Sequence, residues 1–301
     1  MKIKSPVTGN YNTSVIRDIS VSKIVSLYKE DLQFDISSYF HGLETIQLCA
    51  CGDTGYRFYY PFDIFGDDIF YQHLQNFENY YSKEKWEYRA VAKLISDHKH
   101  VLEIGSGGGH FLQGLKQKKD VTVNGLELNS KAVAAAKEKG LDVTSDLIEE
   151  YAEKHAESFD VVCSMQVLEH ITDIRSFILS SLQVLKKGGQ MIICVPNNNP
   201  YLYKHDFFHT LNLPPHHAGL WNRAAFSSLP KFFPVRLNSV HIEPLQDYKK
   251  WYGTQVDHFK ESSNPISGVL SLVPRPVYKV PLMLLRNYIE GRNILVEFVK
   301  E

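Results

Sequence analysis

No stretch of this chain reaches the roughly 18 uninterrupted apolar residues that a membrane-spanning helix needs. The nearest approach, "ISGVLSLVPRPVYKVPLMLL", is broken by Pro274, Pro276 and Pro281, so no membrane span is expected. The opening residues "MKIKSPVTGNYN" hold no apolar core of signal-peptide type. Cysteine is scarce: Cys49, Cys51, Cys163 and Cys194 do not space into a disulfide framework, and the last two sit inside apolar runs like buried thiols. A reducing, cytoplasmic setting is therefore expected. An excess of one charge is missing as well. The formal net charge of −1 argues against non-specific nucleic-acid binding. Internal repeats and low-complexity tracts are absent. Apolar residues are plentiful, at 44% of 301, which is enough to build one large α/β domain and an appendage without covalent staples.

The dinucleotide fingerprint G-x-G-x-x-G is also lacking. In "HVLEIGSGGGHFLQGL", residues 100–115, an apolar run ends at Gly105, and Phe111, Leu112 and Leu115 then recur at helical spacing. That is strand, tight turn and helix. Counted from Gly105, the third glycine of the fingerprint falls on His110; counted from Gly107, it falls on Leu112. What stands there is Glu103 followed by Gly105, Gly107 and Gly109 at alternate positions. Glycines at such a turn permit positive φ and let a ligand approach the backbone.

Strand and helix signals alternate from 99 to about 197. "NSKAVAAAKEKG" reads as a helix capped by Asn129 or Ser130 and ended by Gly140. "FDVVCSM" is an apolar run of the kind buried on both faces. "DIRSFILSSLQVLKKGG" reads as an amphipathic helix ending in lysines and glycines, and "QMIICVP" as the fifth strand. "VRLNSVHIEP" and "RNILVEFVK" supply a sixth and a seventh, with a helical insertion at 245–291 between them. The alternation predicts an α/β fold around a doubly wound, mostly parallel sheet.

The glycine segment resembles motif I of class I S-adenosylmethionine (SAM)-dependent methyltransferases. "SFDVVCSMQVLEHI" and "VLKKGGQMIICVPN" are similar to the fourth- and fifth-strand segments of the same family, and the ordered set covers residues 99–197. The resemblance implies a Rossmann-like seven-stranded sheet with an antiparallel last strand, and SAM as cofactor. Carried over by position, Glu103, Gly105, Ser106 and Gly107 hold the methionine and ribose part. Glu127, about 20 residues past the glycine loop, accepts from the ribose hydroxyls, with Leu128 beside it. Asp146 and Leu147 flank the adenine, and Gln166 meets the methionine end. Tyr80, Tyr81 and Trp86, in the helical cap expected at 67–98, are further cofactor candidates, Tyr81 foremost, with core packing as the alternative reading for each. Asp146 has a second reading as a helix N-cap. Glu169 and His170 are expected to secure the turn.

Residues 1–66 resemble a degenerate zinc ribbon. "SPVTG" at 5–9 and "CGDTG" at 51–55 echo each other, and thiols at 5, 8, 51 and 54 would make C-x-x-C-G twice. Ser5, Thr8 and Thr54 occupy three of those places beside Cys51, so no zinc is expected. Such a ribbon precedes the SAM domain in many methyltransferases of sugars and glycans, which implies a small polar acceptor of that kind. The acceptor segment is read at 197–221, where "LNLPPHHAGLW" resembles a Pro-Pro-His-His…Trp segment of bacterial methyltransferases. His217, or failing that His216, is the expected general base, with His205 and His209 as secondary candidates. No third ligand accompanies the histidine pair in sequence, so no metal is expected. The reading is a SAM-dependent methyltransferase. A nicotinamide-dependent oxidoreductase and a non-catalytic SAM-fold binding protein remain the alternatives. The oligomeric state stays open, a homodimer included.

Overall fold

The computed structural model describes residues 3–74, 85–199, 205–263 and 265–301. Its larger sheet has seven strands: β4 (Lys99–Ile104), β5 (Val121–Leu126), β6 (Asp142–Thr144), β7 (Phe159–Met165), β8 (Leu185–Pro196), β10 (Val235–Pro244) and β11 (Glu290–Lys300). Their spatial order is β10-β11-β8-β7-β4-β5-β6. The pairs among β4 to β8 are parallel, whereas β11 runs antiparallel to both β8 and β10. This is the doubly wound sheet with a reversed last strand that the alternation and the resemblance predict.

Local chemistry sets the element ends. Asn129, not Ser130, caps the helix Ser130–Glu138; its side chain accepts from Lys131 N and Ala132 N, and Gly140 follows with φ 71°. The helix after β7 ends earlier than its sequence suggests. It spans Ile174–Val184, and the lysines and glycines read as its C-terminus belong to β8. Within β8, Gly188 takes φ 74°, a conformation glycine adopts without the strain of a Cβ.

A second sheet, all antiparallel, joins β1 (Thr13–Ser20), β2 (Thr45–Cys51), β3 (Arg57–Tyr60) and β9 (Gly219–Leu220). The turns that open and follow its first strands share one hydrogen-bond pattern. Gly9 N donates to Ser5 O and Gly55 N to Cys51 O, and both glycines have positive φ. Ser5, Thr8, Cys51 and Thr54 are all buried. Ser5 Oγ accepts from Val7 N and Thr8 N, and Thr54 Oγ1 from Tyr56 N.

The N-terminal sheet and the helix Val21–Leu32 beside it grip the segment 205–221 at several points. Tyr28 Oη donates to Leu213 O, Tyr59 Oη to Asn212 O, and Thr210 Oγ1 to Asp31. Leu213 and Leu220 are buried in the same apolar cluster as Ile24, Tyr28, Phe40 and Phe70. Trp221 is fully buried, its ring stacked on Phe226 at 4.4 Å between centroids and tilted against Tyr56 at 4.3 Å. Residues 205–221 of the segment expected to bind the acceptor are thus a strap held against the N-terminal elements. Helices Tyr248–Glu261, Ile266–Leu272 and Arg275–Leu285 fill the insertion between β10 and β11. No helix among the described residues is long and apolar enough to cross a membrane.

Candidate functional site

In an open α/β sheet, ligands bind past the carboxyl ends of the parallel strands. A cavity of about 1290 Å³ lies at that edge, larger than the roughly 300–1,000 Å³ of most single-ligand pockets, so it has room for two molecules. Gly105 and Gly107 enter it after β4, Glu127 and Leu128 after β5, Asp146 and Leu147 after β6, Gln166 after β7 and Pro196 from the end of β8. Because β11 is reversed, its opening residues Arg292 and Asn293 reach the same edge. Glu243, near the end of β10, joins them.

The glycine loop is shaped for close approach. Gly105 and Gly107 have φ of 74° and 51°, and a Cβ on Gly105 would fall 2.3 Å from Val167 Cγ2. Glu127 braces the loop: one carboxylate oxygen accepts from Gly107 N and the other from Asn129 N, both at 2.8 Å. Each oxygen has a second lone pair for a ligand hydroxyl. Leu128 and Leu147, 57% and 47% exposed, offer apolar surface inside the cavity. The N-cap position of the helix after β6 falls on Leu147, which makes no side-chain cap hydrogen bond, so Asp146 is not its N-cap. Gln166 holds φ 58°, and its Nε2 donates to Asn293 Oδ1, whose amide in turn donates to Glu243. Burial, then the charge of Glu87, pushes the Glu243 carboxyl up to about 7.

Glu103 and Ser106 are buried and do not contribute to the described cavity wall. Burial, reinforced by Glu127, holds the Glu103 carboxyl well above the usual carboxylate range. Tyr80 and Tyr81 lie outside the described residues, and Trp86 packs against the apolar cluster around Val91 and Phe111. Lys85 and Tyr88, beside Trp86, do line the cavity.

His216 and His217 line this cavity together with Glu169 and His170. The ring centroids of His170 lie 4.7 Å from His216 and 5.1 Å from His217, and the adjacent pair stacks at 4.5 Å. Two sequence-distant turns are locked to bring them together: Ala218 N and Gly219 N donate to Glu169 O at 2.8 and 3.1 Å. Gly219 must be glycine here, because a Cβ would lie 1.5 Å from Tyr56 Oη. Burial holds His170 down to about 4 and lowers His216 and His217 well below the usual histidine range; the neighbouring imidazoles lower the last two further. Burial pushes the Glu169 carboxyl up to about 8, and neither of its oxygens has a hydrogen-bond partner among the described residues. The turn-securing role expected of Glu169 is carried by its backbone, which leaves the carboxyl for the cavity. Its apolar neighbour in sequence, Leu168, gave no sign of that.

Residues 71–235 match the profile of the methyltransferase domain family. The ubiquinone biosynthesis O-methyltransferases of Salmonella newport (strain SL254) and Salmonella typhi are each 35% identical over 107 residues, 34% of this chain and 44% of the relative. The match thus takes in less than half the length of those relatives. Among solved structures, a SAM-dependent methyltransferase from Archaeoglobus fulgidus aligns with a TM-score of 0.53 at 18% identity, covering 76% of this chain and all of the other. One from Thermotoga maritima aligns at 0.52 and 16% identity, covering 77% and 98%. At such identities the likeness speaks for the fold alone.

Proposed function

This chain belongs to the methyltransferase domain family, and we propose from that premise that it transfers the methyl group of SAM to a hydroxyl of a small polar acceptor, such as a sugar or glycan. One observation carries the reading: a single cavity is lined both by the glycine loop with Glu127 and by the histidine cluster. The residues present fit SAM. Positive-φ glycines open a cradle, Glu127 keeps lone pairs for ribose hydroxyls, and Leu128 and Leu147 offer apolar faces for adenine. Asp146 is left to accept from the adenine amino group. SAM supplies the methyl group, and its sulfonium takes up the electron pair of the breaking C–S bond, leaving S-adenosylhomocysteine.

The chain's own work is to align the two reactants, which can supply much of the rate in an in-line displacement. Gln166, fixed by Asn293, orients the methionine end. His216 and His217 activate the acceptor hydroxyl in the strap that the N-terminal sheet holds. Relatives named for O-methylation support oxygen as the atom methylated. No zinc is proposed at the N-terminal turns, where hydroxyls replace thiols. A nicotinamide oxidoreductase is less well supported, because His110 stands where the fingerprint needs its third glycine. Incubation with methyl-labelled SAM and a panel of sugars, nucleotide sugars and polyols should place label on one class of hydroxyl. Label passing only to amines would overturn the oxygen assignment.

A further inference from the structure

The histidine pair lacks a third ligand in sequence, but the fold supplies one. One ring nitrogen from each of His170, His216 and His217 lies within 4.8 Å of the other two, in a pocket where both members of the pair are buried. The tautomers follow from the hydrogen bonds. His170 Nδ1 lies 2.6 Å from His216 O, and His216 Nδ1 lies 2.9 Å from Leu211 O. A carbonyl only accepts, so both Nδ1 atoms carry the proton. His217 Nδ1 lies 3.1 Å from Asn212 Oδ1. That amide's orientation is fixed by a relay: Asn198 Nδ2 donates to Pro196 O, and Asn212 Nδ2 donates to Asn198 Oδ1. Asn212 Oδ1 is therefore the acceptor, and His217 too is protonated at Nδ1. In the neutral state all three rings then carry their lone pair on Nε2, the tautomer that metal-ligating histidines take when an oxygen holds the other nitrogen.

A second observation points the same way. Glu169 is 1% exposed, lines the cavity and has no hydrogen-bond partner at either carboxylate oxygen among the described residues; Oε1 lies 3.9 Å from His170 Nε2. A buried carboxylate without a donor is costly unless a cation or a ligand answers it.

We propose that His170, His216 and His217 bind a divalent transition-metal ion through Nε2, with Glu169 beside it as counter-charge. Three imidazoles suit zinc and its neighbours rather than magnesium or calcium, which favour oxygen donors. Zn–N bonds of about 2.0–2.1 Å would require the three nitrogens to draw in from their present separations of up to 4.8 Å. Three protein ligands leave a fourth position toward the cavity, as in catalytic zinc sites. If the proposed function holds, an acceptor oxygen takes that position, and His216 and His217 activate it as ligands.

Chelator-treated protein, free of SAM, is titrated with Co²⁺ and followed by visible absorption, and with Zn²⁺ by calorimetry. One ion per chain and the intense visible bands of four-coordinate Co²⁺ are expected. Loss of an outer-sphere partner typically weakens metal binding about 10–100-fold, so His170→Ala, His216→Ala and His217→Ala should each cost at least about 100-fold. Unchanged circular dichroism and S-adenosylhomocysteine binding establish that each variant is folded, and His170→Gln serves if His170→Ala is not. Cys51→Ala, in the N-terminal turn, should leave uptake unchanged. No uptake by the wild-type chain, or uptake that survives in all three histidine variants, overturns the proposal. Ion binding without methyl transfer would overturn the functional reading and leave the site standing; methyl transfer by a chain that takes up no ion does the reverse.

Discussion

Gly107→Val should bind neither SAM nor S-adenosylhomocysteine measurably, while keeping its circular dichroism. Gly107 holds φ 51° in the loop that lines the cavity. A residue with a Cβ pays about 1–2 kcal/mol in that left-handed region, and a β-branched one resists it further. The same side chain would stand where a ligand has to approach the backbone. At Gly105 the same substitution would drive a Cβ against Val167 and confound folding with binding. Wild-type affinity in a folded Gly107→Val variant would mean that the loop is not the cofactor's cradle.

His217→Ala and His216→Ala should leave SAM binding intact, and at least one should lower kcat by about 10²–10⁴-fold, the range lost when an acceptor is no longer relieved of its proton. Both rings line the cavity while contributing nothing to the glycine loop. Retained SAM affinity therefore separates a chemical loss from a folding loss. The measurement is turnover with the acceptor found in the labelling screen. Wild-type rates in both variants would place the activating group elsewhere.

The central sheet was legible because its signals are local. The run Val101–Ile104 ending in glycine, the cap at Asn129 and the stop at Gly140 each act within a few residues. The misplaced end of the helix at Val184 shows the cost of such signals. Lys186, Lys187, Gly188 and Gly189 have the composition of a helix C-terminus, yet they fall inside β8, in an irregularity of its register between Leu185 and Gln190, which pair with Phe159 and Val161 of β7. The two-residue strand β9 has no period to read and exists because β3 offers it an edge. Of the residues carried over by position, Gly105, Gly107, Glu127, Leu128, Asp146, Leu147 and Gln166 line one cavity, each after its own strand, whereas Glu103 and Ser106 do not. The gathering of the histidines had no such signal. His170 meets His216 and His217 only through the backbone lock at Glu169. Asn293 reaches the cavity only because β11 is reversed against its neighbours, which brings its opening residues to the end of β10 that carries Glu243. Those are tertiary facts without a local signature.

Calorimetric titration of the wild-type chain with S-adenosylhomocysteine and with NADH, paired with thermal unfolding in each ligand, tests the central claim most directly. The account predicts saturable binding of S-adenosylhomocysteine at one site per chain. At 100 times the dissociation constant that binding adds about 2.7 kcal/mol of stability, which appears as a raised Tm, while NADH changes nothing. Stabilisation by NADH, with none by S-adenosylhomocysteine or SAM, would contradict it.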